Sequence, residues 1–173
     1  VNLTDDYWNK VSQGTMPAVT LSSTDPFDNE AGYTPGNPLT LISGTRDFGV
    51  TLITASTATL TATADGYTQN TTPEITVAPG AATRLQVLLP GETAVPGSST
   101  GKSGTPSERT AGAPFTITVN GVDAYWNVVS GAVATVEVAT SDSFDTEPGQ
   151  QSLASGTTNF GVTLVTAGGS HTI

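Results

Sequence analysis

The chain has 173 residues, with five Lys and Arg against fifteen Asp and Glu, a formal net charge of -10 and no cysteine. The missing cysteines exclude a disulfide framework and a thiolate metal site, and so acidic a surface repels nucleic-acid phosphates and anionic lipid, which argues against a nucleic-acid partner. No apolar run approaches the roughly 18 residues of a membrane span, and no charged segment leads into an apolar one at Val1, so a mature or excised piece is expected.

Thr, Ser, Val, Ala and Gly dominate while Glu, Lys, Leu and Met are scarce, which favours strands and turns and predicts almost no helix. In chain order, the opening DDYWN (Asp5 to Asn9) leads to a strand with Val19 and Leu21 inward, then to DPFDNE at Asp25 to Glu30. A second strand is expected with Phe48, Val50 and Leu52 on one face, and ATLTATA (Ala58 to Ala64) and PEITV (Pro73 to Val77) complete the first half. A short hinge follows at Ala78 to Ala81, and RLQVLL at Arg84 to Leu89 opens the second half. The segment from Glu92 to Pro114, rich in Ser, Thr, Gly and Pro, reads as a mobile loop, from which Lys102 and Arg109 could reach an acidic neighbour. Beyond it, PFTITVNGV sets Phe115, Ile117 and Val119 on one face, TVEVAT turns Val136 and Val138 inward, and FGVTLVTA does the same with Phe160, Val162 and Leu164.

The halves are a repeat. Val1 to Gly14 lies on Val119 to Gly131, Ser22 to Glu30 on Ala139 to Glu147, and Ser43 to Ala55 on Ser155 to Ala167, with a loop five residues longer in the first copy around Ala31 to Pro38. Two tandem modules follow, residues 1–79 and 80–173, the first expected to lack its opening strand and the second its last. About six or seven short antiparallel strands per module, separated by turn signals, read as a β-sandwich of immunoglobulin-like topology.

Two phrases occur twice and carry the candidate chemistry. In DAYWN (Asp123 to Asn127), one of the alternating rings can cap the module while Asp123 and Asn127 bond turn amides. In DSFDTE, Asp142, Asp145 and Glu147 recur at the spacing of Asp25, Asp28 and Glu30, and hard oxygen ligands on a loop suit Ca²⁺; the alternative is a solvated turn with Phe27 or Phe144 tucked beneath. Some nine residues of strand, about 30 Å, would part the two phrases within a module. A shared ion would instead lie near the hinge, between Asp25, Asp28 or Glu30 and Asp123 or Asn127. Catalysis finds little support, since the lone histidine, His171, has no nucleophile-and-acid pair to complete, and the chain is expected not to be an enzyme.

The DAYWN corner with VSG beyond it, the SD turn, and the SGT, FGVTL, TAG and HTI run resemble bacterial immunoglobulin-like repeats of the invasin and intimin type and their filamin-like relatives. Such repeats tend to read D-A-x-G-N-x-V-x-G and then G-T-x-x-F-x-V-x-L. Here Trp8 and Trp126 replace the glycine before Asn, so the corner is expected to be built differently. The resemblance implies stalk pieces of large extracellular or cell-surface proteins, with neighbouring repeats or further copies of the chain as partners and strand addition as a route to polymers. The rival expectation is an adhesin-type module that binds glycan or protein through loops, with Trp8, Trp126, Tyr33 and Tyr67 as its aromatic candidates.

Overall fold

A computed structural model describes residues 1–173. It is an all-β chain of several antiparallel sheets, none closed, and it divides into two compact units, Val1–Ala78 and Pro79–Ile173. One single-turn 3₁₀ helix, Glu30–Gly32, is the only helical element, capped where the Asn29 side chain accepts the Gly32 amide.

In the first unit, β1 (Ala18–Ser23) lies between β2 (Leu39–Thr40) and β4 (Leu60–Thr63), and β5 (Asn70–Thr71) extends that sheet to the order β2-β1-β4-β5. A separate pair joins β3 (Thr57–Ala58) to β6 (Ile75–Thr76). Alternation along β1 buries Val19 and Leu21, and Tyr33, Leu41 and Ala58 complete the buried set. The expected strand through Phe48, Val50 and Leu52 does not form, and only an isolated bridge between Thr34 and Gly49 marks it. Val1 bonds Arg46 and Asn2 bridges Thr45 at the segment's start.

The second unit supplies that ladder. Its main sheet has the order β13-β10-β7, with β10 (Phe115–Val122) between β13 (Thr157–Val162) and β7 (Arg84–Leu88). Phe115 pairs with Val162 and Ile117 with Phe160, so period-two patterning drives Phe115, Ile117, Val119, Phe160 and Val162 into one core. Val136, of β11 (Thr135–Val136), joins it with Val138 and Leu153, and β11 pairs with β12 (Gln151–Ser152). Phe160 is wholly buried, whereas its first-unit counterpart Phe48 is half-buried.

The stretch from Glu92 to Pro114 is not the unpatterned loop its composition suggests. It folds a hairpin, β8 (Glu92–Ala94) against β9 (Lys102–Gly104). Polar cross-ties replace hydrophobic period as its signal: Lys102 Nζ meets Glu92 Oε1 at 2.8 Å, and buried Gln86 donates Nε2 to the Gly101 carbonyl at 2.8 Å while accepting Asn120 Nδ2 at 3.0 Å. Lys102 is thereby held within its own unit, and Arg109 lies over the Phe115 ring.

Candidate functional site

The corner at Asp5 to Asn9 is built like the corner at Asp123 to Asn127. Asp5 Oδ1 accepts the amides of Tyr7 at 3.0 Å and Asn9 at 2.8 Å, and Oδ2 accepts Asn9 Nδ2 at 3.0 Å. In the second unit Asp123 Oδ1 accepts Tyr125 N at 2.8 Å and Asn127 N at 3.0 Å, and Oδ2 accepts Asn127 Nδ2 at 3.0 Å. An aspartate at such a turn satisfies amides that the reversing backbone leaves without partners. Asp123 Oδ2 also takes the Gly80 amide at 2.8 Å, which pins the start of the second unit to its own corner. Burial pushes the Asp123 carboxyl up, but the bonds from Asn127, Gly80 and Tyr125 outweigh it and hold it below the ordinary aspartate range. Asp5, bonded first by the Asn9 side chain, is lowered as well.

The tryptophans take the same backbone conformation in both corners. Trp8 and Trp126 adopt φ of 64° and 67°, the left-handed region where a glycine is at ease and an indole-bearing residue is strained. Both corners therefore carry a large ring at a backbone position that favours glycine. In the second unit the ring has a seat: Trp126 lies against Gly101, itself at φ 76°, and the Arg84 guanidinium stands 5.0 Å over its centroid. In the first unit Tyr7 and Trp8 are 84% and 73% exposed, so neither ring caps the core there.

The acidic triplets also match bond for bond. Asp25 Oδ2 accepts the amides of Ile53 at 2.6 Å and Thr54 at 2.9 Å, while Oδ1 accepts Thr54 Oγ1 at 2.7 Å and Phe27 N at 3.1 Å. Asp142 does the same for Val165 at 2.7 Å, Thr166 at 2.8 Å, Thr166 Oγ1 at 2.7 Å and Phe144 N at 3.1 Å. Glu30 Oε1 accepts Ser23 N at 2.6 Å, as Glu147 Oε1 accepts Thr140 N at 2.8 Å. Asp28 takes the Ser23 hydroxyl at 2.7 Å, as Asp145 takes that of Thr140 at 2.8 Å. Burial raises the Asp25 carboxyl, but Thr54, Ile53 and Phe27 together bring it below its ordinary value. Asp142 is lowered chiefly by the Thr166 amide, against burial.

These carboxylates thus hold main-chain and hydroxyl donors across each turn. No group of three acidic or histidine side chains is gathered in the manner of a cation's ligands. The aromatic beneath the triplet differs between copies: Phe27 is half-buried, whereas Phe144 is 79% exposed and is not tucked under its turn. Instead Tyr33, supplied by the longer first-unit loop, is buried with its hydroxyl on Asp28, and burial followed by that carboxylate raises its pKa. Of the other aromatic candidate residues, Tyr67 is exposed, and His171 places Nε2 3.0 Å from the Thr166 carbonyl.

The doubled SGT, expected from the sequence to be a turn, has a defined geometry in both units. Ser43-Gly44 and Ser155-Gly156 both take two successive left-handed residues, and both turns close with reciprocal amide bonds, Ile42 with Thr45 and Ala154 with Thr157. This is the type I′ hairpin turn.

In comparisons with known proteins, no family model, no curated protein and no solved structure matches the chain.

Proposed function

We propose that the chain is a tandem pair of immunoglobulin-like β-sandwich modules, a structural repeat in a rod, stalk or filament of a prokaryotic extracellular or cell-surface protein, able to cohere with other chains by strand addition. The observation that carries this reading is the bond-for-bond recurrence of the acidic turns. The residue types that most suggest chemistry, Asp25, Asp28, Glu30, Asp142, Asp145 and Glu147, are committed in both units to holding the backbone. A unit copied with its internal ties intact is suited to reach and cohesion. A net charge of -10 suits solubility in such a role.

Concatemers of two, four and six modules test it by sedimentation. A spacer gives a frictional ratio that climbs steadily with module number; a ratio that stays flat contradicts the reading. A second reading, recognition of a glycan or protein, draws on the exposed Tyr7 and Trp8 rings carried by one hydrogen-bonded corner. Its test is a shift of Trp8 fluorescence across a glycan panel, measured in a Trp126→Phe background.

A further inference from the structure

Every residue from Ser103 to Pro114 is exposed. Past β9 this segment enters no sheet, and its main chain is tied through Ser107 N to the Pro90 carbonyl at 2.7 Å, Gly112 N to that of Leu164 at 2.8 Å and Ala113 N to that of Thr110 at 3.1 Å. Between these ties the amides of Glu108, Arg109, Thr110 and Ala111 donate to no protein group. Arg109 stands in the middle of that stretch. Its Nε donates to the Ser107 carbonyl at 3.2 Å, its guanidinium lies 5.8 Å from the centroid of the Phe115 ring, and no carboxylate pairs with it.

The remaining basic residues sit where the backbone is committed. Lys10 bridges Thr4 in the hydrogen-bonded corner, and the Val11 amide after it goes to Leu3. Arg46 is half-buried, with its amide on the Val1 carbonyl. Arg84 lies in β7 opposite Val122, and Lys102 lies in β9 opposite Ala94 with its side chain on Glu92. Another long exposed stretch, residues 65–74, contains no Lys or Arg.

We propose that the bond from Arg109 to Thr110 is a processing site for a serine protease selective for basic side chains, and that the cut chain stays together as a complex of two fragments. A protease needs several exposed residues of backbone threaded past its nucleophile, which a laddered strand yields only by opening. The Arg109 side chain enters the acidic specificity pocket, and the seryl oxygen takes the Arg109 acyl group as the bond to Thr110 N breaks. Thr110 leaves as an amine, carrying the proton that the protease histidine took from the serine; water then releases the Arg109 carboxylate and restores the enzyme. On the leaving side Thr110, Ala111 and Gly112 are small.

The cut falls between elements that hold one another. β7, β8 and β9 stay with the first fragment, and β10 to β13 with the second. Across the break run the ladder from Arg84↔Val122 to Leu88↔Thr118, the buried Gln86 and Asn120 bond at 3.0 Å, the Gly97 amide on the Tyr125 carbonyl at 2.8 Å, and the Trp126 ring against Gly101. Cleavage thus exchanges covalent continuity for pairing between strands, and the inference does not rest on the rod reading.

The probe is trypsin, at a low ratio to the 173-residue chain in native buffer, with the products read by mass. The first product pair is expected to be residues 1–109 and 110–173, which elute together from a sizing column in native buffer and part in urea. Arg109→Gln is expected to slow that cut at least about tenfold, and Arg109→Lys to keep it, because the pocket reads the charge. A first cut after Lys10, Arg46, Arg84 or Lys102 overturns the proposal, as does an undiminished rate in Arg109→Gln. Fragments that part in native buffer overturn it as well.

Discussion

Consider Asp25→Asn. The carboxylate receives two amides on Oδ2 and one amide with one hydroxyl on Oδ1. An asparagine keeps the shape, and its oxygen can still face Ile53 and Thr54, but the amide nitrogen then faces the Phe27 N–H. Two bonds lose charge assistance, each worth about 1 kcal/mol, and one N–H in a part-buried setting is left unpaired, at about 1 kcal/mol or more. A loss of about 3 kcal/mol is expected in the first unit, a large share of the stability of a small domain. Urea titration followed by methyl resonances of Val19 and Leu21 for the first unit, and of Ile117 and Val162 for the second, reads the units separately. With a slope of about 1–3 kcal/mol/M, the first-unit midpoint falls by roughly 1–3 M while the second holds. Because the folded pKa of Asp25 lies below its unfolded value of about 3.9, the carboxylate's contribution is full above that pH and is lost as pH falls through the folded value. The gap between wild type and variant therefore narrows below about pH 4. A first-unit loss under about 0.5 kcal/mol, or an equal loss in both units, refutes the reasoning.

Three further outcomes follow from the same contacts. Trp126→Gly relieves backbone strain of about 1 kcal/mol but forfeits the ring's seat on Gly101 and Arg84, for a net loss of about 2 kcal/mol, whereas Trp8→Gly stays within about 1 kcal/mol of neutral because an exposed ring gives up little; urea midpoints of the two units check the contrast. Gly156→Ala combines φ of 78° with a Cβ that would overlap the Val129 carbonyl, so it costs more than about 2 kcal/mol by the same measurement, as does Gly44→Ala against Val11. Chelator is expected to leave the melting temperature within about 1 °C of its value in millimolar calcium, since a cation at either triplet would have to displace amide and hydroxyl donors; a rise of several degrees with calcium would establish an ion bound by the folded state.

What could be read from the letters was set by local physics. Alternation placed Val19, Leu21, Phe115, Ile117, Val119, Phe160 and Val162 inward, because period two needs no tertiary information. The same alternation suggested a strand through Phe48 and Val50, where the structure has only an isolated bridge from Thr34 to Gly49, since alternation alone does not say whether a neighbouring strand pairs. The Glu92–Gly104 hairpin was illegible because it is held by Gln86, the Lys102–Glu92 pair and the Trp126 face, polar and aromatic contacts that leave no hydrophobic period in the sequence. The acids were legible as a doubled motif, but their bonding was not: DSFDTE is compatible with an ion or with a turn, and only the positions of the Val165 and Thr166 amides distinguish the two geometries. That Trp8 and Trp126 both sit at positive φ was not legible, because such a backbone position favours glycine.

Native-state hydrogen exchange of the Ile53 and Thr54 amides beside those of Val165 and Thr166 tests most directly whether one brick is laid twice. Both pairs are expected to be protected well above free-loop rates, with Asp25→Asn opening only the first pair and Asp142→Asn only the second. Free-loop exchange at either pair in the wild type, or one variant opening both, would contradict the account.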